Sequence, residues 1–493
     1  MIYNFNLGIG WASSGVEYAQ IYRARMFRNI GVDAKFVFTD MFPSENMEHM
    51  TKNIGFEDSE VIWLYTFFTD FKTAPVTYTL SDLEKTFTDL NYTKKREGKI
   101  CRYVFGGSNN FYTAYMVNDH DDFVHRVEMV SNGFLIRKDY FTYGRVYSEY
   151  YAPLDNKAHL YHRRFFNKNG SVAYEEIIDD DRVMYKFKDK ILCSKEEFVG
   201  YMVSQLHLTK DDVVLIDRST DIGQSIIMNC KPARVGTVVH ADHFSEKDTN
   251  DDYILWNNFY EYEFNMHKHI DFYICSTQAQ SDLMIQQFEK YYGVTPCIYT
   301  IPVGSLPELK YPSSTRKPYS LITASRLASE KHVDWICKAV IQARSEVPEL
   351  SLDIYGVGGE REKLEMIIRE NNAQDYIHLM GQHDLSEVYQ NYEAYIAGST
   401  SEGFGLTLME AVGGGLPIIG FDVRYGNPTF IRNGENGYLL ELPEDDKDKI
   451  EALRKGIVDL FKQDLEHCHE VSYLVAKDFL TCNVQEKWRE AVC

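Results

Sequence analysis

Two glutamates, Glu402 and Glu410, stand eight positions apart in GSTSEGFGLTLMEAVGGG, Gly398 to Gly415. The run before them, AYIAGS, is short and apolar and predicts a buried strand. GFG follows, loose enough for backbone to approach a ligand closely. LTLMEAV then has helical spacing, with Leu406, Met409 and Val412 on one side. In an open α/β sheet, a strand, a small-residue turn and a helix make an anion site, with helix N–H groups facing the ligand at the carboxyl edge. A carboxylate beside bound phosphates is costly unless it meets something else. Sugar hydroxyls qualify, since they donate well to an acceptor-only group. The plainer alternative is a helix entry carrying a surface acid.

Two cations occupy a similar place upstream. YSLITASRLASEKHVDWICKAV reads as a strand, a loop with Arg326 and Lys331, then a helix. Cations at a strand's carboxyl end suit a diphosphate by charge, and Arg suits it by its fork geometry. The alternative is two solvated surface charges. RVGTVVHADH is a strand ending in histidines, and His240 falls at its end, where open α/β sheets place function. Asp242 and His243 follow, and a structural role is the ordinary one for a lone histidine.

The remaining chain must position these groups. Its 493 residues suffice for two or three domains, and 44% hydrophobic content allows large cores. A net charge of −21 argues against general nucleic-acid binding, which needs basic surface. Nine scattered cysteines, an odd number with no CxxC pair, fit a reducing compartment and carry no zinc signature. Met1 leads straight into an apolar strand with no basic leader, and no apolar run reaches membrane-spanning length. The expected location is the cytoplasm, with peripheral contact at the inner face of the membrane left open.

IYNFNLGIG, a turn rich in Gly and Ser around Gly10 and Gly15, the helix VEYAQIYRARMFRNIG and the strand KFVFTD form a βαβ start. VIWLYTFF reads as another buried strand. From residue 77 to 193, Tyr- and Val-rich segments such as ICRYVFG and NFYTAYMVN alternate with turns such as GGSN and NKNGS. That is hairpin chemistry, predicting a meander of roughly eight short antiparallel strands. The βα pattern resumes after 193. The expected organisation is a first Rossmann-like domain in two parts (1–76 and 194–308), the inserted sheet (77–193), a second Rossmann-like domain (309–475) and a C-terminal helix (476–493).

EGFGLTLMEA resembles the E-x7-E element of family-4 retaining glycosyltransferases, which have the α/β GT-B fold with two Rossmann-like domains facing a cleft. SRLASEKHVDWICKA resembles that family's GRL-x2-EKG-x-D-x-L-x2-A, departing at Ser325 and His332, where the family has glycines. NLGIGWASSGVEYAQ, FTDM, YILWNN and the β-meander together resemble one subgroup, the catalytic subunits of the accessory-Sec-system protein O-glycosyltransferases, the GtfA type.

The resemblance implies that Glu402 contacts the donor sugar and Glu410 the ribose. Arg326 and Lys331 would hold the pyrophosphate, with Glu330 orienting one of them. His240 would line the sugar pocket. Gly381, Gln382 and His383 would meet the base through backbone groups. Gly10 would admit donor or acceptor, and Gly15 would open the helix. The N–H groups of Phe404, Gly405, Leu406 and Thr407 would face the departing diphosphate. By the same family resemblance the C-terminal helix (476–493) would cross back to the first domain.

It further implies transfer of GlcNAc or glucose from a UDP-sugar, with GlcNAc favoured, to Ser and Thr of a serine-rich repeat adhesin. A non-catalytic sister subunit would assist, and no metal or other cofactor would be required. Within the insert DxD spacing occurs twice, at Asp119 with Asp121 and at Asp179 with Asp181, both in polar turns. Two alternatives remain at this level. One is a wall teichoic acid glycosyltransferase, which the net charge disfavours because like charges repel. The other is a non-catalytic acceptor-binding subunit.

Overall fold

The structure is a computed structural model that describes residues 1–9, 15–42, 45–88, 90–107 and 109–493. It divides into two compact units. One comprises Met1–Ala24, Val32–Val238 and Trp256–Asp271; the other comprises Arg25–Gly31, Val239–Leu255 and Phe272–Cys493.

The first unit contains a parallel sheet ordered Arg234–Val239, Val213–Ile216, Ile2–Asn6, Ala34–Phe38, Val61–Trp63. Val213–Ile216 is buried at every position, as expected for a strand covered on both faces. VIWLYTFF is not one strand. Only Val61–Trp63 is extended, and Leu64–Phe67 turns into a short helix. An apolar run of this length does not declare its own period, so strand and buried helix read alike.

The insert is a ten-stranded antiparallel meander from Tyr92–Glu97 to Ile191–Leu192, each strand paired with the next. The spacing predicts fewer strands for two physical reasons. YTKKRE is exposed at every position and shows no apolar alternation, and the last strand has only two residues. One face buries aromatics. Tyr174 stacks on Phe165 with centroids 4.5 Å apart and donates to the Tyr65 carbonyl at 2.7 Å. Tyr185 stacks on Phe198 of the helix Lys195–Gln205 at 4.1 Å.

In the second unit six parallel strands run in the order Ile377–Gly381, Ser351–Tyr355, Ser320–Ala324, Ala394–Ile396, Ile418–Phe421, Gly437–Leu440. Alternate residues feed two cores, because successive side chains of a strand point to opposite faces. Leu321, Leu352 and Ile354 pack with the helices Val333–Ala343 and Asp446–Leu460. Ile322, Tyr355 and Tyr395 pack with the helices Leu406–Gly413 and Leu465–Lys477. Trp488 of the last helix, Thr481–Val492, meets Phe27 edge-on at 5.3 Å.

The fold is α/β, with an antiparallel sheet domain inserted. Among the described residues no helix is long and apolar enough to cross a membrane.

Candidate functional site

The strand order of the second unit reverses direction between Ser320–Ala324 and Ala394–Ile396, which pair directly through Leu321 with Ala394 and Ile322 with Tyr395. The crevice outside the carboxyl ends of such strands is where open α/β sheets take ligands. Two loops leave from it. One carries Arg326 and Lys331, the other Glu402.

The first loop is shaped by close backbone contact. A Cβ on Gly356 would stand 1.8 Å from the Ser325 carbonyl oxygen, and one on Gly358 2.3 Å from that of Leu327. Ser325 N–H donates to Tyr355 C=O at 3.1 Å and Leu327 N–H to Val357 C=O at 3.0 Å. The G-x-G of LDIYGVGGE therefore acts by letting this loop lie against it. Lys331 ends a short 3-10 turn, Ser329–Lys331, and His332 takes the left-handed conformation (φ 46°) before the helix Val333–Ala343. His332, where the family has glycine, lays its ring on Trp335 with centroids 3.6 Å apart.

The second loop meets the first. Lys331 Nζ lies 2.7 Å from Glu402 Oε2, with each side chain 21% exposed. A Cβ on Gly398 would stand 3.0 Å from the Lys331 carbonyl, so the two backbones pass closely as well. Glu402 is gripped through its own backbone. Its N–H donates to Arg424 C=O at 3.1 Å, and its C=O accepts from the N–H groups of Tyr425 at 2.6 Å and Gly426 at 2.7 Å. Gly405, at φ 88°, opens the helix Leu406–Gly413. The first N–H groups of an α-helix have no partner within it, and they face the same carboxyl edge.

The other expected residues distribute as follows. Glu410 is half-buried on that helix and accepts from the Tyr389 hydroxyl at 3.0 Å. Burial pushes its carboxyl up, the Tyr389 hydrogen bond opposes this, and the charge of Asp384 adds to it. Thr407 Oγ1 lies 3.0 Å from the Tyr395 hydroxyl. The Phe404 ring is buried against Phe430 at 5.3 Å, so only its backbone is left to serve a ligand. Leu406 packs its side chain toward Gly304.

Gly381 ends the edge strand at φ 79° and accepts from Gly356 N–H at 2.8 Å. Gln382 and His383 are exposed beside it, with His383 Nε2 2.9 Å from the Met380 carbonyl oxygen. Arg326 is not drawn into the Lys331–Glu402 pair. It is 80% exposed and lies 3.3 Å from Glu330. His240 directly follows its strand, and its carbonyl lies 3.8 Å from where a Cβ on Gly403 would stand. Gly15 opens the helix Gly15–Ile30 in the first unit, and Gly10 lies outside the described residues. Among the described residues no group of three or more His, Cys, Asp or Glu is arranged to hold a metal ion.

Two polar clusters escape sequence reasoning. Arg23 and Asp217 form a doubly bonded ion pair in the first unit at 2.7 and 2.8 Å, with side chains 2% and 0% exposed. Gln20 also donates to Asp217 at 2.8 Å. The available signal is the three-residue spacing of Glu17, Gln20 and Arg23 on one helix face. The second cluster is His243 with Gln287 and Tyr425, contributed by distant segments that carry no common motif.

His243 is fully buried, and burial pushes its pKa down to about 4; the Gln287 hydrogen bond opposes this and the Arg424 charge adds to it. An unfolded chain takes this proton near the ordinary value of about 6.5, whereas the folded chain resists until about 4. The stabilisation is complete above the higher value and is lost as pH falls toward the lower. The full loss is about 3 kcal/mol. His125 and His469, also held down to about 4 by burial, act in the same direction. Thermal melts between about pH 7 and 4.5 should fall steadily, and His243→Gln should flatten the slope.

Family models match two segments. Residues 93–189 match the GtfA extended beta-sheet domain, and residues 310–473 match glycosyl transferases group 1. The chain is 52% identical over 492 residues, 99% of its length and 97% of the relative's, to a UDP-N-acetylglucosamine–peptide N-acetylglucosaminyltransferase GtfA subunit of Streptococcus agalactiae. It superposes on a chain of a GtfA/B complex with a TM-score of 0.96 at 52% identity, covering 100% of this chain and 99% of that one. It also superposes on the pneumococcal O-GlcNAc transferase GtfA, solved with UDP and GlcNAc, with a TM-score of 0.85 at 49% identity, covering 100% and 98%.

Proposed function

The chain belongs to the GtfA subunits of the UDP-N-acetylglucosamine–peptide N-acetylglucosaminyltransferases, and on that premise we propose that it moves N-acetylglucosamine from UDP-N-acetylglucosamine to Ser and Thr hydroxyls of a protein, with retention at the anomeric carbon. Its acceptor is a serine-rich repeat adhesin of the accessory Sec system. It works in the cytoplasm, at or near the membrane's inner face, with a non-catalytic sister subunit. The GtfA/B complex supports that partnership, and nine free cysteines suit a reducing compartment.

The observation that carries the chemistry is the Lys331–Glu402 pair at the strand-order reversal, 2.7 Å apart and half-buried. Breaking the bond between the anomeric carbon and the diphosphate leaves positive charge on the sugar and negative charge on the leaving group. Lys331, Arg326 and the N–H groups from Phe404 to Thr407 meet the negative charge. Glu402 accepts from sugar hydroxyls while Lys331 offsets its own charge beside the phosphates. Glu410 accepts from the ribose, and its raised pKa weakens this at acid pH. The new bond forms from the acceptor hydroxyl oxygen to the anomeric carbon on the face the diphosphate leaves. The hydroxyl proton passes to the departing phosphate.

The test is sugar transfer from labelled UDP-GlcNAc and UDP-glucose to an unmodified serine-rich repeat polypeptide, with and without the sister subunit. Label from UDP-GlcNAc is expected in the polypeptide, and Glu402→Gln should lose it. Label from neither donor would send the reading to polyol phosphate acceptors.

A further inference from the structure

After the strand Arg234–Val239 the chain runs through His240 and turns inward at His243, which is 0% exposed. His243 Nε2 lies 2.7 Å from Gln287 Oε1 on the helix Gln278–Tyr292. An amide oxygen only accepts, so the proton sits on Nε2 and Nδ1 is left as an acceptor. The Tyr425 hydroxyl stands 3.2 Å from Nδ1, which can accept from it, and is also within hydrogen-bond reach of Asp242. Tyr425 is 1% exposed. Its N–H and that of Gly426 hold the Glu402 carbonyl at 2.6 and 2.7 Å.

Two further contacts reinforce the path, and a third, between Arg424 and Glu246, lies at its exposed rim. Gln280 Nε2 donates to the Ala241 carbonyl, next to His240, at 2.8 Å. Arg424 pairs with Glu246, and its guanidinium lies 5.0 Å over the Phe244 ring. A Cβ on Gly426 would stand 2.9 Å from Glu402 Cγ, so the Glu402 side chain rests directly on this backbone.

We infer that His243 and Tyr425 are positioning residues for transfer: through Gln287, His243 and Tyr425, the segment bearing His240 and the backbone of Glu402 are held in one register. This rests on the transferase reading above and gives His243 a role other than touching acceptor, from which its burial removes it. A sugar pocket built from a histidine on one segment and a carboxylate on another works only if their separation is fixed. Small misplacements of reacting groups are costly even when every group is present. The hydroxyl of Tyr425 is the one atom whose loss breaks the path without emptying the core.

The test compares wild type, Tyr425→Phe and Glu246→Gln, each as the full chain with its sister subunit. Tyr425→Phe should lower kcat about tenfold or more at little changed KM for UDP-GlcNAc, with a melting temperature close to wild type. Amide exchange should rise in residues 240–246 and 402–406. Glu246→Gln, an exposed rim charge, should leave kcat near wild type. If Tyr425→Phe melts early, Gln287→Leu, which frees the imidazole tautomer without touching Glu402, should give the same two changes. An unchanged kcat in an active Tyr425→Phe complex would overturn the inference, as would unchanged exchange in the two segments. If wild type itself transfers no sugar, the transferase reading fails, and the exchange comparison still decides whether the tie exists.

Discussion

Lys331→Met is expected to lower transfer about a thousandfold, a barrier increase of about 4 kcal/mol. Two effects add. The ammonium no longer meets the charge that grows on the diphosphate as the sugar departs. The Glu402 carboxylate, now without the partner 2.7 Å away, faces the phosphates as an uncompensated like charge. Each side chain is 21% exposed, so water screens that repulsion only in part. The second effect is separable. Lys331→Met should weaken UDP binding as well as kcat, whereas the double variant Lys331→Met/Glu402→Gln should recover part of the UDP affinity and none of the transfer. Titration calorimetry with UDP beside the transfer assay reads both. Equal UDP affinity in the single and double variants would show that the two side chains do not share a site with the diphosphate. Arg326→Met should cost less, because that side chain is 80% exposed and must give up Glu330 to reach a ligand.

Asp217→Asn should destabilise the protein by about 3–5 kcal/mol, the cost of leaving a buried charge unpaired. Asp217 holds both terminal nitrogens of Arg23 and accepts from Gln20, all out of water. The Asn4 side chain accepts from the same guanidinium at 2.9 Å. Removing the charge from one partner leaves the desolvated guanidinium beside a neutral group. Removing both charges together, as Arg23→Met/Asp217→Leu, should cost less than Asp217→Asn alone, since well-packed apolar pairs replace buried ion pairs at little expense. Urea midpoints of wild type and the two variants check the order. A double variant weaker than the single would mean that the pair contributes more than it loses in desolvation.

Glu402, Glu410, Arg326, Lys331 and His240 could be singled out in the sequence because each stands by the end of a strand or on the helix that follows, where open α/β sheets place ligands. A strand must end and small residues must turn, and a helix must then begin. These local requirements leave their mark within about twenty residues of chain, as they do around Gly398 to Gly415. The inserted sheet was legible for the same reason, through the period-two alternation of its longer strands. Where alternation fails, as in the fully exposed Tyr92–Glu97, or where the run is uniformly apolar, as in Val61 to Phe68, the reading blurred.

The sequence alone thus determined the α/β class, the insert and the candidate residues for a diphosphate and a sugar. What tertiary structure decided was their pairing. Lys331 is seated on Glu402 while Arg326 stays with Glu330 in solvent. The Phe404 ring is spent on the core, and Glu402 is joined through Tyr425 to His243, far away in the chain. The physical reason is range. A helix start or a strand end is set by neighbours a few residues away. A hydrogen bond between distant side chains depends on where whole elements come to rest, and no local pattern of residue types encodes that.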